Sequence, residues 1–155
     1  MIFVILGTQD KPFTRLLDAI NNLNTNHEII VQAGNTKYVS DKLKILNFIN
    51  DDEFKKLIKQ ADIIITHGGV GSIMTSLQYN KKVIAVSRLK QYKEHQNDHQ
   101  LDIVNNFELN NYIINGNNLD KLQYYVDNIE SYEFDKFISN NTNFVNIIRD
   151  YINRC

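Results

Sequence analysis

The run from Ala61 to Ile65 contains three consecutive isoleucines, Ile63, Ile64 and Ile65, bounded by Asp62 and Thr66. A strand of this composition has no polar face to offer water, so it suits a parallel sheet covered by helices on both sides. It leads directly into THGGVGS, Thr66 to Ser72. Gly68, Gly69 and Gly71 accept backbone angles and close approaches that a Cβ forbids. Ser72 is predicted to cap a helix continuing through Ile73, Met74, Leu77 and Gln78, so that free N–H groups face the space beyond the strand's carboxyl end. An anion sits well there. The helix dipole adds about 0.3–1 kcal/mol and each hydrogen bond to a charged oxygen about 1.5–3 kcal/mol, so two or three such bonds hold a diphosphate. The segment is neither a Walker loop nor a dinucleotide fingerprint, because GxxxxGK[ST] is absent and the spacing after Gly69 fails GxGxxG. The competing reading of the glycines alone is a tight strand-to-helix turn without a ligand.

The rest of the chain repeats the strand–helix alternation. Ile2 to Leu6 reads as a strand ending at Gly7, followed by Phe13, Leu16, Leu17 and Ile20 at helical spacing after Pro12. Glu28 to Gln32 and Lys44 to Phe48 read as the second and third strands, with a turn at Ala33 to Asn35. Asp51 is expected to cap a helix that turns Phe54, Leu57 and Ile58 inward. Val83 to Val86 is a fifth strand, His95 to Asn106 a helix and Tyr112 to Ile114 a sixth strand. Leu119 to Ile129 and Phe134 to Ile152 are expected to be terminal helices, the last with an apolar stripe of Phe144, Ile147, Ile148, Tyr151 and Ile152. Alternation of this kind predicts an α/β, Rossmann-like, doubly wound parallel sheet of about six strands with right-handed crossovers. Ligands in such sheets bind beyond the carboxyl ends of the strands.

At 155 residues and 43% hydrophobic content the chain is expected to form a single domain, residues 1–155. A net charge of −1, with no tryptophan and dispersed lysines and arginines, provides no basic field, so nucleic acid is not expected as a partner. The only cysteine is Cys155, which excludes an intrachain disulfide and a cysteine-based metal cluster and fits a reducing cytoplasm. MIFVILG has no basic region ahead of it and no cleavage pattern, and no apolar run nears the roughly 20 residues that span a bilayer. The expectation is a cytoplasmic protein that meets a membrane only by recruitment.

A second cluster is EHQNDHQ, Glu94 to Gln100, with two histidines, two acids and two glutamines. On a helix, His95 and His99 share a face, as do Gln96 and Gln100. HQNDH loosely resembles the inverted zincin pattern HxxEH, but its acid is Asp98 and no third ligand is evident, so a metal is not expected. A solvated polar face is the plain alternative. The favoured reading is that His95, Asp98, His99 and Gln100 bind the hydroxyls of a sugar, since this helix starts beside the THGGVGS turn.

GTQ after the first strand, NFINDDEF, THGGVGSI and KKVIAVSRLKQYKEHQNDHQ, in that order, resemble the carboxyl-terminal, donor-binding domain of family 28 glycosyltransferases of the MurG type. More closely than the two-domain enzymes, the chain resembles stand-alone versions of this half of a GT-B fold. These are the catalytic subunit of the two-chain N-acetylglucosaminyltransferase of dolichol-linked oligosaccharide assembly, and PssE-like capsule and exopolysaccharide subunits. The resemblance covers roughly residues 1 to 110. It implies a UDP-sugar donor, with Phe48 and Ile49 over the base and Gly68, Gly69, Val70, Gly71 and Ser72 on the diphosphate. Gly7 and Thr8 close on the diphosphate from the first loop, and His99 and Gln100 face the donor sugar. Many relatives carry a glutamate for the ribose hydroxyls where this chain has Thr75, which can make one hydroxyl contact. Valine at Gly69 or Gly71 is expected to abolish donor binding with the sheet intact. His67 is the catalytic candidate, holding the departing phosphate or the sugar, with a satisfied loop carbonyl as its alternative role.

The resulting expectation is the soluble donor-binding subunit of a two-component inverting glycosyltransferase that needs no metal or other cofactor. It would transfer a sugar to a lipid-linked acceptor for cell-surface polysaccharide. A membrane-anchored partner would supply the acceptor site and general base and recruit the chain to the inner face of the membrane. The rival is a non-catalytic sugar-nucleotide accessory or sensor subunit.

Overall fold

The computed structural model describes residues 1–139. Six strands form one sheet: β1 (Ile2–Ile5), β2 (Ile29–Gln32), β3 (Leu43–Leu46), β4 (Ile63–His67), β5 (Lys82–Val86) and β6 (Ile114–Asn115). Every pairing is parallel and the spatial order is β3-β2-β1-β4-β5-β6. The helices are α1 (Thr14–Asn21), α2 (Asp51–Gln60), α3 (Val70–Gln78), α4 (His99–Leu109) and α5 (Leu122–Asn128). This is the Rossmann-like, doubly wound architecture expected from the alternation.

Successive residues of a strand point to opposite faces, and the central strands use both. Ile2 and Val4 of β1 and Ile63 and Ile65 of β4 pack with Leu16, Leu17 and Ile20 of α1 and Leu122 and Val126 of α5. Phe3, Ile5 and Ile64 turn the other way, onto Leu57 and Ile58 of α2, Ile73 and Leu77 of α3, and Val104 of α4. Burying each such side chain stabilises the fold by about 1.5–3 kcal/mol. The chain leaves β1 in one direction across the sheet and returns to β4 on its other side, so the switch in strand order falls between β1 and β4. The crevice at their carboxyl ends is the place where such folds hold ligands.

Several boundaries differ from the sequence reading. The third strand stops at Leu46, which leaves Phe48 outside the sheet and 60% exposed. Asn50, not Asp51, caps α2, its side-chain oxygen accepting from Glu53 N at 2.8 Å. The sixth strand is Ile114–Asn115, because Tyr112 N is still bound to Phe107 O at the end of α4. Single 3-10 turns at Leu119–Lys121 and Ile129–Ser131 flank α5. Phe134 to Ser139 is not helical: Asp135 N donates to Asn111 O and Asn111 Nδ2 to Glu133 O, which ties this backbone to the loop after α4. The remainder of the predicted last helix, with its apolar stripe, lies outside the described residues.

Candidate functional site

The crevice is built from the loops that leave β1, β3 and β4. Gly7 follows β1 with φ 77°, the left-handed region that favours glycine. A Cβ there would come within 2.6 Å of His67 Nε2. Gln32, buried at the end of β2, accepts from Gly7 N and donates to Gly7 O, both at 3.1 Å, and donates to Asn47 O at 3.2 Å. One amide therefore fixes the first loop and the Asn47–Phe48 loop relative to each other.

On the other side of β1, α3 begins at Val70 with Gly69 as its N-cap and no side-chain cap. The first bond back along the chain is Ile73 N to Gly69 O, so the N–H groups of Val70, Gly71 and Ser72 are free to meet a ligand. Ser72 is thus not the cap predicted from sequence. It lies in the first turn of the helix, and its Oγ is 3.2 Å from His67 Nε2.

The glycines divide by role. A Cβ on Gly69 would sit 2.9 Å from both His67 ring nitrogens and closer still to Cε1, and one on Gly68 would meet Gln100 Cβ at 2.9 Å. Both are required by packing. A Cβ on Gly71 would meet nothing within 4 Å, so of the three glycines in this turn only Gly71 has open space where its Cβ would be. The expectation that a side chain at Gly69 would fill a phosphate's space is corrected: it would strike the imidazole.

The cleft enclosed by these loops is about 580 Å³ and is lined by Gly7, Thr8, His67, Gly69, Gly71 and Ser72, by Phe48, Ile49 and Thr75, and by Gln100. Ten of the fifteen residues singled out in the sequence therefore share one wall set. Gly68 and Val70 flank it. Gln9, Gln32, Asp51 and Phe54 also line it. Gln32 went unnoticed because its role depends on a bond to a loop 25 positions away, which no local pattern announces. Thr75 Oγ1 donates to Gly71 O at 2.8 Å, so its hydrogen is committed to the helix and only lone pairs face a ligand.

The EHQNDHQ segment does not enter the cleft as one helix face. Lys93 has φ 58°, and Glu94 is buried, accepting from Nε and Nη2 of Arg15 at 2.9 Å each and from Leu89 N at 3.0 Å. Those anchors hold the backbone out of helical geometry until His99. His95 and His99 consequently do not share a helix face. Their rings lie 4.7 Å apart, tilted, while His95 Nδ1 accepts from Asn97 N and His99 Nδ1 pairs with Asn97 Oδ1. Asp98 accepts from Lys90 N at 2.7 Å. Of this cluster, only Gln100 reaches the cleft wall.

Two basic side chains, Arg88 and His67, set the local electrostatics. Arg88 is 1% exposed and donates to Lys11 O at 2.7 Å and Leu6 O at 2.8 Å, with its guanidinium over the Phe13 ring at 4.7 Å. Burial pushes its pKa down to about 10 against the pull of Glu94 and Asp10, which leaves it charged at neutral pH. Burial, and then the charges of Arg88 and His95, push His67 down to about 4. The imidazole at the centre of the site is neutral.

A cleft whose wall includes an uncapped helix start and an exposed aromatic ring fits an anion joined to a flat apolar group. Residues 1–154 match the glycosyltransferase family 28 C-terminal domain. The chain belongs to this family. As a family 28 C-terminal domain it is 31% identical over 100 residues to the UDP-N-acetylglucosamine transferase subunit ALG13 of Candida albicans, a match covering 64% of this chain and 32% of that protein. It is 30% identical over 106 residues to the mouse protein of the same name, covering 61% and 9% respectively. The chain thus spans well under half the length of these relatives. Among solved structures, the solution structure of ALG13 superposes with a TM-score of 0.56 at 19% identity, covering 94% of this chain and 93% of that one. MurG of Acinetobacter baumannii gives 0.55 at 18%, covering 82% and 41%. At such identities these likenesses speak to the fold of the family 28 domain.

Proposed function

We propose that this domain binds the donor of an inverting glycosyltransferase, a UDP-sugar, and transfers the sugar to a lipid-linked acceptor in cell-surface polysaccharide synthesis together with a membrane-anchored partner. The observation that carries the reading is the cleft at the β1/β4 switch point, where the unpaired N–H groups of Val70, Gly71 and Ser72 border open space at Gly71. A diphosphate there accepts those N–H groups, and Gly7 and Thr8 close on it from the first loop. Phe48 and Ile49 cover the uracil, and Thr75 offers a lone pair to a ribose hydroxyl. Gln100 meets the sugar, a role supported by its being the one residue of its cluster on the cleft wall, whereas His95, Asp98 and His99 lie outside that wall.

In the transfer step an acceptor hydroxyl attacks the anomeric carbon opposite the diphosphate, the glycosidic bond to phosphate breaks, and the negative charge passes to the phosphate oxygens. N–H donors fixed in advance hold that charge without reorganising. His67, neutral and bound to Ser72, orients this set and is not a charge partner. The chain's described residues form one Rossmann-like sheet, and a cleft enzyme of this kind needs a second wall for the acceptor. The partner supplies that wall, the general base and the contact with the membrane. No helix among the described residues is long and apolar enough to cross a membrane.

The test is co-expression with the product of a neighbouring membrane-anchored gene, followed by assay with nucleotide sugars and lipid acceptor. Turnover in the complex and not by this chain alone is expected. Binding of UDP-sugar without turnover in any complex supports an accessory or sensor subunit instead.

A further inference from the structure

Gln100 Oε1 accepts from Arg88 N at 3.0 Å. A backbone N–H only donates, so the amide's oxygen end is fixed there and its nitrogen end lies 3.5 Å from His67 Nδ1. An amide nitrogen also only donates, so Nδ1 is the bare nitrogen of the ring and the single proton of a neutral imidazole sits on Nε2. That proton points at Ser72 Oγ, 3.2 Å away. Ser72 then acts as acceptor toward His67, and its own hydrogen is left over. In the other tautomer an Nδ1–H would face the Gln100 NH₂, and Nε2 would consume the serine hydrogen. The residue whose backbone N–H starts this chain of donors and acceptors is itself anchored, because the buried Arg88 guanidinium donates to Leu6 O and Lys11 O.

We propose that Gln100 is a positioning residue that selects the Nε2–H tautomer of His67, leaving the Ser72 hydroxyl hydrogen free to donate to an anionic oxygen in the cleft. The donation to an anion rests on the diphosphate reading above, whereas the tautomer selection does not. Three side chains from β4, α3 and α4 thus act on one proton, and Gln100 contributes to diphosphate binding without touching the phosphates.

The test has two arms. In nucleotide-free protein labelled with ¹⁵N-histidine, with His67→Asn used for assignment, the His67 signals are expected to show Nε2 protonated and Nδ1 bare. Gln100→Glu keeps an oxygen for Arg88 N but presents a second oxygen to Nδ1, so the proton moves to Nδ1. Gln100→Met removes the selection, and the two nitrogen shifts draw together; this variant serves if the glutamate does not fold. In the second arm, Ser72→Ala weakens UDP binding about tenfold or more in the wild-type background and less than about twofold in the Gln100→Glu background, where the hydrogen is already taken. Because both glutamate proteins carry the same added charge, its repulsion of UDP cancels from the comparison. A protonated Nδ1 in the wild type, an unchanged tautomer in the Gln100 variants, or an equal Ser72→Ala loss in both backgrounds overturns the proposal. Failure of wild-type protein to bind UDP at all overturns the diphosphate reading, while the first arm still decides the tautomer selection.

Discussion

Replacing Gly69 and Gly71 separately by alanine should move stability and binding in opposite senses. Gly69 has φ −80° and ψ 128°, a conformation open to alanine, so any penalty is steric. Its new Cβ would lie 2.9 Å from two ring nitrogens of His67, well inside the roughly 3.5–4.0 Å of an unstrained contact. Overpacking of this kind costs about 1–3 kcal/mol. Gly71 lies inside α3 and its Cβ meets nothing, so alanine removes backbone freedom from the unfolded chain and stabilises by about 0.5–1 kcal/mol. At about 2–4 °C per kcal/mol for a chain of this size, Gly71→Ala raises Tm by about 1–4 °C and Gly69→Ala lowers it by about 2–12 °C. The methyl group at Gly71 occupies the space assigned to phosphate, so the more stable variant should also lose the Tm increase that UDP gives the wild type, about 2.7 kcal/mol at a hundredfold excess over Kd. Thermal melts of the three proteins with and without UDP make the measurement. A Gly71→Ala protein that melts lower than wild type, or that keeps the full UDP shift, refutes the division of roles between the two glycines.

The depressed pKa of His67 means that the fold favours the neutral ring, so its contribution is fully present above pH 6.5 and is lost as pH falls toward about 4. The loss amounts to at most about 3 kcal/mol; denaturant titrations between these pH values should show the slope, and His67→Asn should flatten it. Gln32→Leu leaves Gly7 N, Gly7 O and Asn47 O without their partner and should cost about 1–3 kcal/mol for each group that stays buried and unpaired, read as a lower denaturation midpoint. Phe48, being exposed, should tolerate alanine within about 0.5 kcal/mol of stability. The same change should weaken UDP by about 1–3 kcal/mol through lost stacking without affecting pyrophosphate binding; calorimetry with both ligands separates the two.

The architecture was readable because its signals are local and redundant. Ile63 to Ile65 has no polar face, α1 and α2 carry their apolar residues at helical spacing, and the glycine turn follows the strand directly. The lining of the cleft was readable where the chain itself delivers the residues, as in the glycine turn after β4 and at Phe48. It was misread where tertiary anchors override local pattern. The two bonds of Glu94 to Arg15 come from a residue 79 positions away, and they hold His95 to Asp98 off a helix that periodicity favours. Asn111 likewise holds Glu133 and Asp135 out of a helix. Gln32 and Arg88 do their work through backbone groups of distant loops, so their residue types alone carry no sign of it.

The central claim is that the cleft between the ends of β1 and β4 receives a uridine diphosphate. An amide NMR titration of ¹⁵N-labelled protein with UDP tests it most directly. The account predicts saturable shifts that trace one binding curve at Gly7, Thr8, Phe48, Val70, Gly71 and Ser72, with Asn24 to His27 at the opposite end of the sheet unmoved. No shifts at millimolar UDP, or shifts gathered at the opposite end, would contradict it.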